Sequence, residues 1–204
     1  MTRVCLIGDA DVNLQYELLS RETARGALAT YDLDRPFENA LAVETVSVGA
    51  AVSLLNDLNW YLTRFVETAL VQEPSISDEE WLSRALATQL RNGERSPAET
   101  DEFCAVYGLE RVDAGDGEAP AGGDDADVPG ASSPESDAAT GRDTATDNQT
   151  RSDADGTKRS ATSPTHRLVE PLYVRRTDGD RPEYDLRDVE ETLVVRLTES
   201  EYSP

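Results

Sequence analysis

An unbroken apolar run, Val4 to Ile7, ends at a glycine and an Asp-x-Asp turn, the pattern of a short buried strand over residues 3–7. Apolar residues then return at helical spacing within 14–31. Their phase shifts between Leu14–Leu19 and Ala24–Tyr31, so Ser20 with Thr23 can cap a second start, and 14–19 also suits an extended segment. A second apolar run predicts a strand over 43–48, and GAAVSLLNDLNWYLTRFVETALV predicts a long helix from about 50 to 71. At 100° per residue Ala51, Leu54, Leu55, Leu58, Tyr61, Leu62, Phe65, Val66 and Ala69 share one stripe, as a core-facing surface requires. Ser77-Asp78-Glu79-Glu80 reads as a capping box ahead of WLSRALATQL, with Gly93 as its stop. Ser96-Pro97-Ala98-Glu99 reads as a second box, whose helix ends before Gly108.

Strand, helix, strand, helix in that order predicts a parallel pair joined by a right-handed crossover. Residues 113–165 break the pattern, because they hold no aromatic residue and one large aliphatic, Val128. Such a stretch cannot bury enough apolar surface to offset its ordering entropy, and a disordered acidic linker is expected there. Alternation resumes in the tail, with Leu172 and Val174, then Tyr184 and Leu186, then Leu193, Val195 and Leu197, and Asp178-Gly179 as a turn. A segment of this size is too small to fold alone. The expected architecture is α/β: a small mixed sheet with a parallel β-α-β core in 1–112, packing helices, and C-terminal strands from 166–204 that dock on it after the linker.

The charge balance changes the picture of the environment. Of 204 residues 41 are Asp or Glu and 19 are Lys or Arg, and Lys158 is the only lysine, giving a net charge of −22. Acids exceed bases by 19 to 9 in 1–112, 12 to 4 in 113–165 and 10 to 6 in 166–204, so each part is acidic. An ordinary acidic protein with an acidic tail keeps its lysines. A carboxylate surface with arginine in place of lysine suits a halophilic cytoplasm, where the Debye length falls to about 3 Å and self-repulsion is screened. No basic stripe is present, which disfavours nucleic acid as a partner. Cys5 and Cys104 are too few for a disulfide framework and read as reduced core residues. No signal-peptide pattern occurs and no apolar run reaches the roughly 18 residues of a membrane span.

Candidate chemistry is sparse. Asp9 and Asp11 follow the first strand, where ligands of open α/β sheets sit. The Asp-x-Asp is similar to that of haloacid-dehalogenase-like phosphatases over about six residues, but Asn13 stands where those enzymes have Thr or Val. The lysine and later acidic pair they need have no counterpart outside the expected linker, which holds both Lys158 and GDDAD. A polar turn whose side chains bond their own backbone is the plainer reading. His166 is the single histidine, which leaves triad and zinc sites without their usual ligands. No phosphate-cradling glycine motif occurs. Ser47 with Gly49-Ala50-Ala51 leaves a helix start open to an anion, or lets helix and strand pack closely.

Trp60 lies opposite the apolar stripe, among Asn56, Thr63, Arg64 and Glu67. It is either covered by another element, such as the 78–91 helix with Trp81 or the C-terminal strands, or it is an exposed interface anchor. NLQYELLSRETARGALATYDL, SVGAAVSLLNDLNWYLTRF and EEWLSRALA resemble a family of uncharacterised halophilic archaeal proteins, over roughly residues 1–92 and the final 35. The resemblance implies no activity, carries over no catalytic or binding residue, and agrees with the halophilic reading. The expected function is a non-enzymatic protein-interaction or regulatory module of the cytoplasm. Trp60, Asn56, Thr63 and Arg64 are its contact candidates; an unidentified protein is its partner, with no cofactor and no membrane. The alternative is a small Mg²⁺-dependent phosphoryl-transfer or hydrolytic enzyme using Asp9 and Asp11.

Overall fold

The structure, a computed structural model, describes residues 1–112, 166–177, 189 and 191–203. The expected linker over 113–165, the turn at Asp178-Gly179 and the strand at Tyr184 and Leu186 lie outside the described residues. The elements are β1 (Thr2–Gly8), α1 (Leu14–Leu19), α2 (Glu22–Leu28), β2 (Ala40–Thr45), α3 (Val48–Asp57), α4 (Asn59–Phe65), β3 (Val66–Gln72), β4 (Trp81–Ser83) and α5 (Arg84–Asn92). A single 3₁₀ turn, Pro97–Glu99, precedes β5 (Phe103–Arg111), β6 (His166–Arg175), β7 (Glu191–Leu197) and α6 (Glu199–Tyr202). Among the described residues the strands form one mixed sheet in the order β2-β1-β3-β4-β7-β5-β6.

The helix-flanked mixed sheet is the one expected, but its first pairing is not. β1 and β2 are antiparallel, with Cys5 opposite Ala42. The phase break near Ser20 is the reason: it divides 14–31 into two short helices, which return the chain to Gly8, where Gly8 N donates to Asn39 O at 2.8 Å. β3 is antiparallel to β1 on its other side, so the parallel β-α-β relation holds between β2 and β3, separated by β1 and joined through α3 and α4. The directly paired parallel strands are β4 and β7.

Two expected helices are shorter than their sequence patterns. The long helix bends at Leu58 and stops at Phe65, and residues 66–72 form β3 against β1. Apolar residues at 66, 69, 70 and 71 satisfy either period, and β-branched Val66, Thr68 and Val71 suit the central strand. The second capping box forms as expected, with Glu99 reaching back to Ser96, but it closes one 3₁₀ turn only. Residues 103–111 are a strand, with Phe103 and Ala105 on one face and Cys104 and Val106 on the other. Likewise Ser77 accepts from Glu80 N, yet α5 starts later, capped by Ser83; Gly93 closes it in the left-handed region, φ 73°.

Val4, Leu6, Leu41, Val43, Val71 and Leu82 form the sheet face beneath the helices, packing on Leu14, Leu18, Leu55, Leu58 and Leu86. On the opposite face Cys5, Leu70, Trp81, Phe103, Val195 and Leu197 share one cluster. Ile7 of β1 lies beside Tyr107 of β5 and Leu168 of β6, so the sheet curls strongly toward this face. Glu38 N donates to His166 O at 2.8 Å, joining the approach to β2 to the start of β6 at the far edge. The C-terminal strands are further tied by a buried ion cluster. Glu80 pairs with Arg176 and, at 2.6 Å, with Arg196, whose Nη1 donates to Thr100 at 2.9 Å. All three charged side chains are 8–12 % exposed.

Candidate interaction face and cavity

The loop after β1 is built around Asn39. Its Nδ2 donates to the carbonyls of Asp9 and Val12, each at 2.9 Å, and its Oδ1 accepts from Leu14 N at 2.9 Å. Asn39 adopts φ 49°, and a Cβ on Gly8 would lie 2.5 Å from the Asn39 amide, so glycine is required at the end of β1. Within the loop Asp9 Oδ1 accepts from Asp11 N at 3.3 Å, the turn anticipated for a short polar side chain. Among the described residues no group of three His, Cys, Asp or Glu forms a potential metal site. The start of α3 is capped by Ser47, whose Oγ accepts from Ala50 N at 3.2 Å. His166 stands in β6 opposite Arg111. Both cysteines are buried, and burial pushes the Cys5 thiol up to about 12, which removes it as a nucleophile at neutral pH.

Trp60 is 53 % exposed, whereas Trp81 is buried in the sheet on β4. Neither a helix carrying Trp81 nor a described C-terminal strand covers it. The Arg64 guanidinium lies 4.9 Å and that of Arg21 5.7 Å from the Trp60 ring centroid, and Tyr61 meets the ring edge-on at 5.0 Å. Arg21 is also paired with Glu17 at 2.7 Å and lies 5.0 Å from the Phe65 ring, so its guanidinium is held close to both rings. Such stacking holds an exposed indole in one orientation and leaves it accessible. Thr63 donates to Trp60 O at 3.0 Å. Asn56 turns away to accept from Arg84 at 3.3 Å. Of the four contact candidates, Trp60 and Arg64 therefore stack together, while Thr63 and Asn56 lead toward α5.

There Thr63 borders a cavity of about 460 Å³ that the sequence patterns did not disclose. β3 and β4 pair at two positions only, Leu70 with Ser83 and Val71 with Leu82, after which β4 turns into α5. The space left between β3 and strands β5, β6 and β7 is bordered by Glu67, Thr68, Arg84, Tyr107, Tyr173 and Glu201. Burial raises the Tyr107 phenol above its ordinary value, partly offset by its hydrogen bond with Thr68. Burial likewise lowers the Arg84 guanidinium, which donates to the amide oxygens of Asn56 and Asn59, the latter at 2.8 Å. Glu201 is engaged by Ser83 at 2.7 Å and by Thr198. The signal in sequence was faint: Arg84 reads as a solvated helix residue and Tyr107 as a helix position.

Among the described residues no helix is long and apolar enough to cross a membrane. No curated protein and no solved structure matches the chain. Residues 2–109, which span β1 to β5 and so the Trp60 face and most of the cavity wall, match the family of unknown function DUF5804, and the chain belongs to that family.

Proposed function

We propose that the chain is a non-enzymatic interaction module of a halophilic cytoplasm, anchored on its partner by Trp60. The observation that carries this reading is a half-exposed tryptophan with two arginine guanidiniums within 6 Å of its ring on a molecule of net charge −22. Over the whole chain carboxylates outnumber basic side chains 41 to 19. Here two guanidiniums lie beside the indole, and they complement an acidic segment that also offers an apolar side chain. In molar salt the charge contribution is screened and the indole supplies most of the affinity. Capture from native high-salt lysate by wild-type and Trp60→Ala protein tests it. The expected partner is retained by the first and bound about thirtyfold more weakly by the second, a hot-spot effect of about 2 kcal/mol. Equal recovery would remove Trp60 from the interface. Because the side chain is exposed, thermal stability should change little.

The halophilic part of the proposal rests on the −22 charge and the single lysine. Lowering KCl from molar to about 0.1 M lengthens the Debye length to about 10 Å and restores self-repulsion. The expected circular-dichroism result is a loss of secondary structure over that range. A spectrum unchanged by salt would contradict adaptation to a saline interior.

A further inference from the structure

We propose that the cavity beside β3 docks the carboxyl-terminal end of an extended peptide, which would add a strand to β3 and place its carboxylate on Arg84. Five consecutive residues, Val66 to Leu70, border the space. Successive side chains of a strand point to opposite faces, so a run of consecutive residues borders one space only where the strand presents its edge. The other edge of β3 is paired with β1 along its length, and β4 reaches no further than Leu70. The main-chain groups of Glu67 to Ala69 on the cavity side therefore meet no strand among the described residues. An open strand edge within a concave site is the arrangement that binds peptides by strand addition.

Arg84 gives the peptide a direction. Its guanidinium sits at the first turn of α5 and donates to two neutral amides. Among the described residues it forms no ion pair, although Glu67 and Glu201 border the same cavity. A terminal carboxylate is the planar acceptor that a guanidinium fork matches, and a partly buried site is screened less by salt than an exposed one. The apolar wall, which includes Leu62 and Leu197, suits aliphatic or β-branched side chains, and Glu67 disfavours an acidic residue near the end. The volume lies within the roughly 300–1,000 Å³ of ligand pockets.

The test is a titration of isotopically labelled full-length protein in molar KCl, followed by amide NMR. The probes are acetyl-Val-Thr-Val-Leu as the free acid, the same peptide as its terminal amide, and the acid methylated on alternate backbone nitrogens. The acid should move the Glu67, Thr68 and Ala69 resonances. The amide should bind about tenfold more weakly, and the methylated peptide should not bind. Arg84→Gln should make acid and amide equal, and Trp60→Ala should bind the acid as wild type does, which separates this site from the Trp60 face. Equal binding of acid and amide by the wild type, shifts that spare residues 67–69, or no shift at millimolar peptide would overturn the proposal. These wild-type comparisons stand even if Arg84→Gln does not fold.

Discussion

Replacing Glu80 by glutamine is expected to lower unfolding free energy by about 3–5 kcal/mol, a large part of the roughly 5–15 kcal/mol that holds a domain together. The carboxylate is the shared anion of Arg176 and Arg196, and all three side chains are nearly buried. Its removal leaves two cations in a low-dielectric pocket with neutral partners, which costs far more than the pair contributes relative to an apolar isostere. An exposed ion pair in the same protein, Arg175 with Glu102, supplies the contrast. Arg175→Gln should cost no more than about 1 kcal/mol, since exposed pairs are weak and molar salt screens them further. The pH dependence follows from the direction of the shift. Burial pushes the Glu80 carboxyl up, but the hydrogen bond from Arg196 and the charge of Arg176 outweigh it and hold the folded-state value below the ordinary 4.5. A group lowered in the folded state stabilises fully above 4.5, and that contribution is lost as pH falls through the folded value. Urea midpoints of wild type should therefore decline below pH 4.5 more steeply than those of Glu80→Gln.

Truncation after residue 165 is expected to abolish cooperative folding. β7 lies between β4 and β5 in the sheet, and among the described residues β5 has only β6 and β7 as strand partners. Removing them exposes the backbone of β5 and uncovers Trp81 and Phe103 on the curled face. Leu193, Val194, Val195 and Leu197 are each at most 9 % exposed, and burying four such side chains is worth roughly 6–12 kcal/mol as an upper estimate. That is comparable to the roughly 5–15 kcal/mol of a whole domain. In molar KCl the 1–165 fragment should show no sharp unfolding transition, and a 166–204 peptide added in trans should restore part of it. A fragment that melts cooperatively at the full-length midpoint would contradict the placement of β7 inside the sheet.

The apolar pattern alone located β1, the core stripe from Ala51 to Leu62, the Gly93 stop and the last strand, because each depends on local spacing or a cap. It did not locate β3 or β5. VETALV continues the phase of Leu62 well enough to pass for helix, and only its place against β1 decides otherwise. FCAVY follows a genuine capping box, so a helix was the economical expectation; its alternating aromatic and β-branched residues were the better signal. The antiparallel pairing of β1 with β2 depends on two six- to seven-residue helices bringing Asn39 back to Gly8; the phase shift near Ser20 marked the break between them, but not the direction in which the chain returns. The parallel contact of Trp81 with Val195 joins residues over a hundred positions apart. At the candidate sites the off-stripe position of Trp60 beside Arg64 was visible, whereas its second arginine was not, since Arg21 comes from the N-cap of a different helix. The cavity arises from the divergence of β3 and β4, a property of pairing that leaves no mark on either segment.

The Trp60 interface is tested most directly by a photoreactive benzoylphenylalanine placed at position 57, an exposed site three residues before the indole, with a second variant carrying it at position 91 on α5 as control. Irradiation in high-salt lysate should give one discrete adduct from position 57, mapped to an acidic segment of a partner protein and absent when the same variant also carries Trp60→Ala. Adducts of equal yield from positions 57 and 91, or none from position 57, would contradict it.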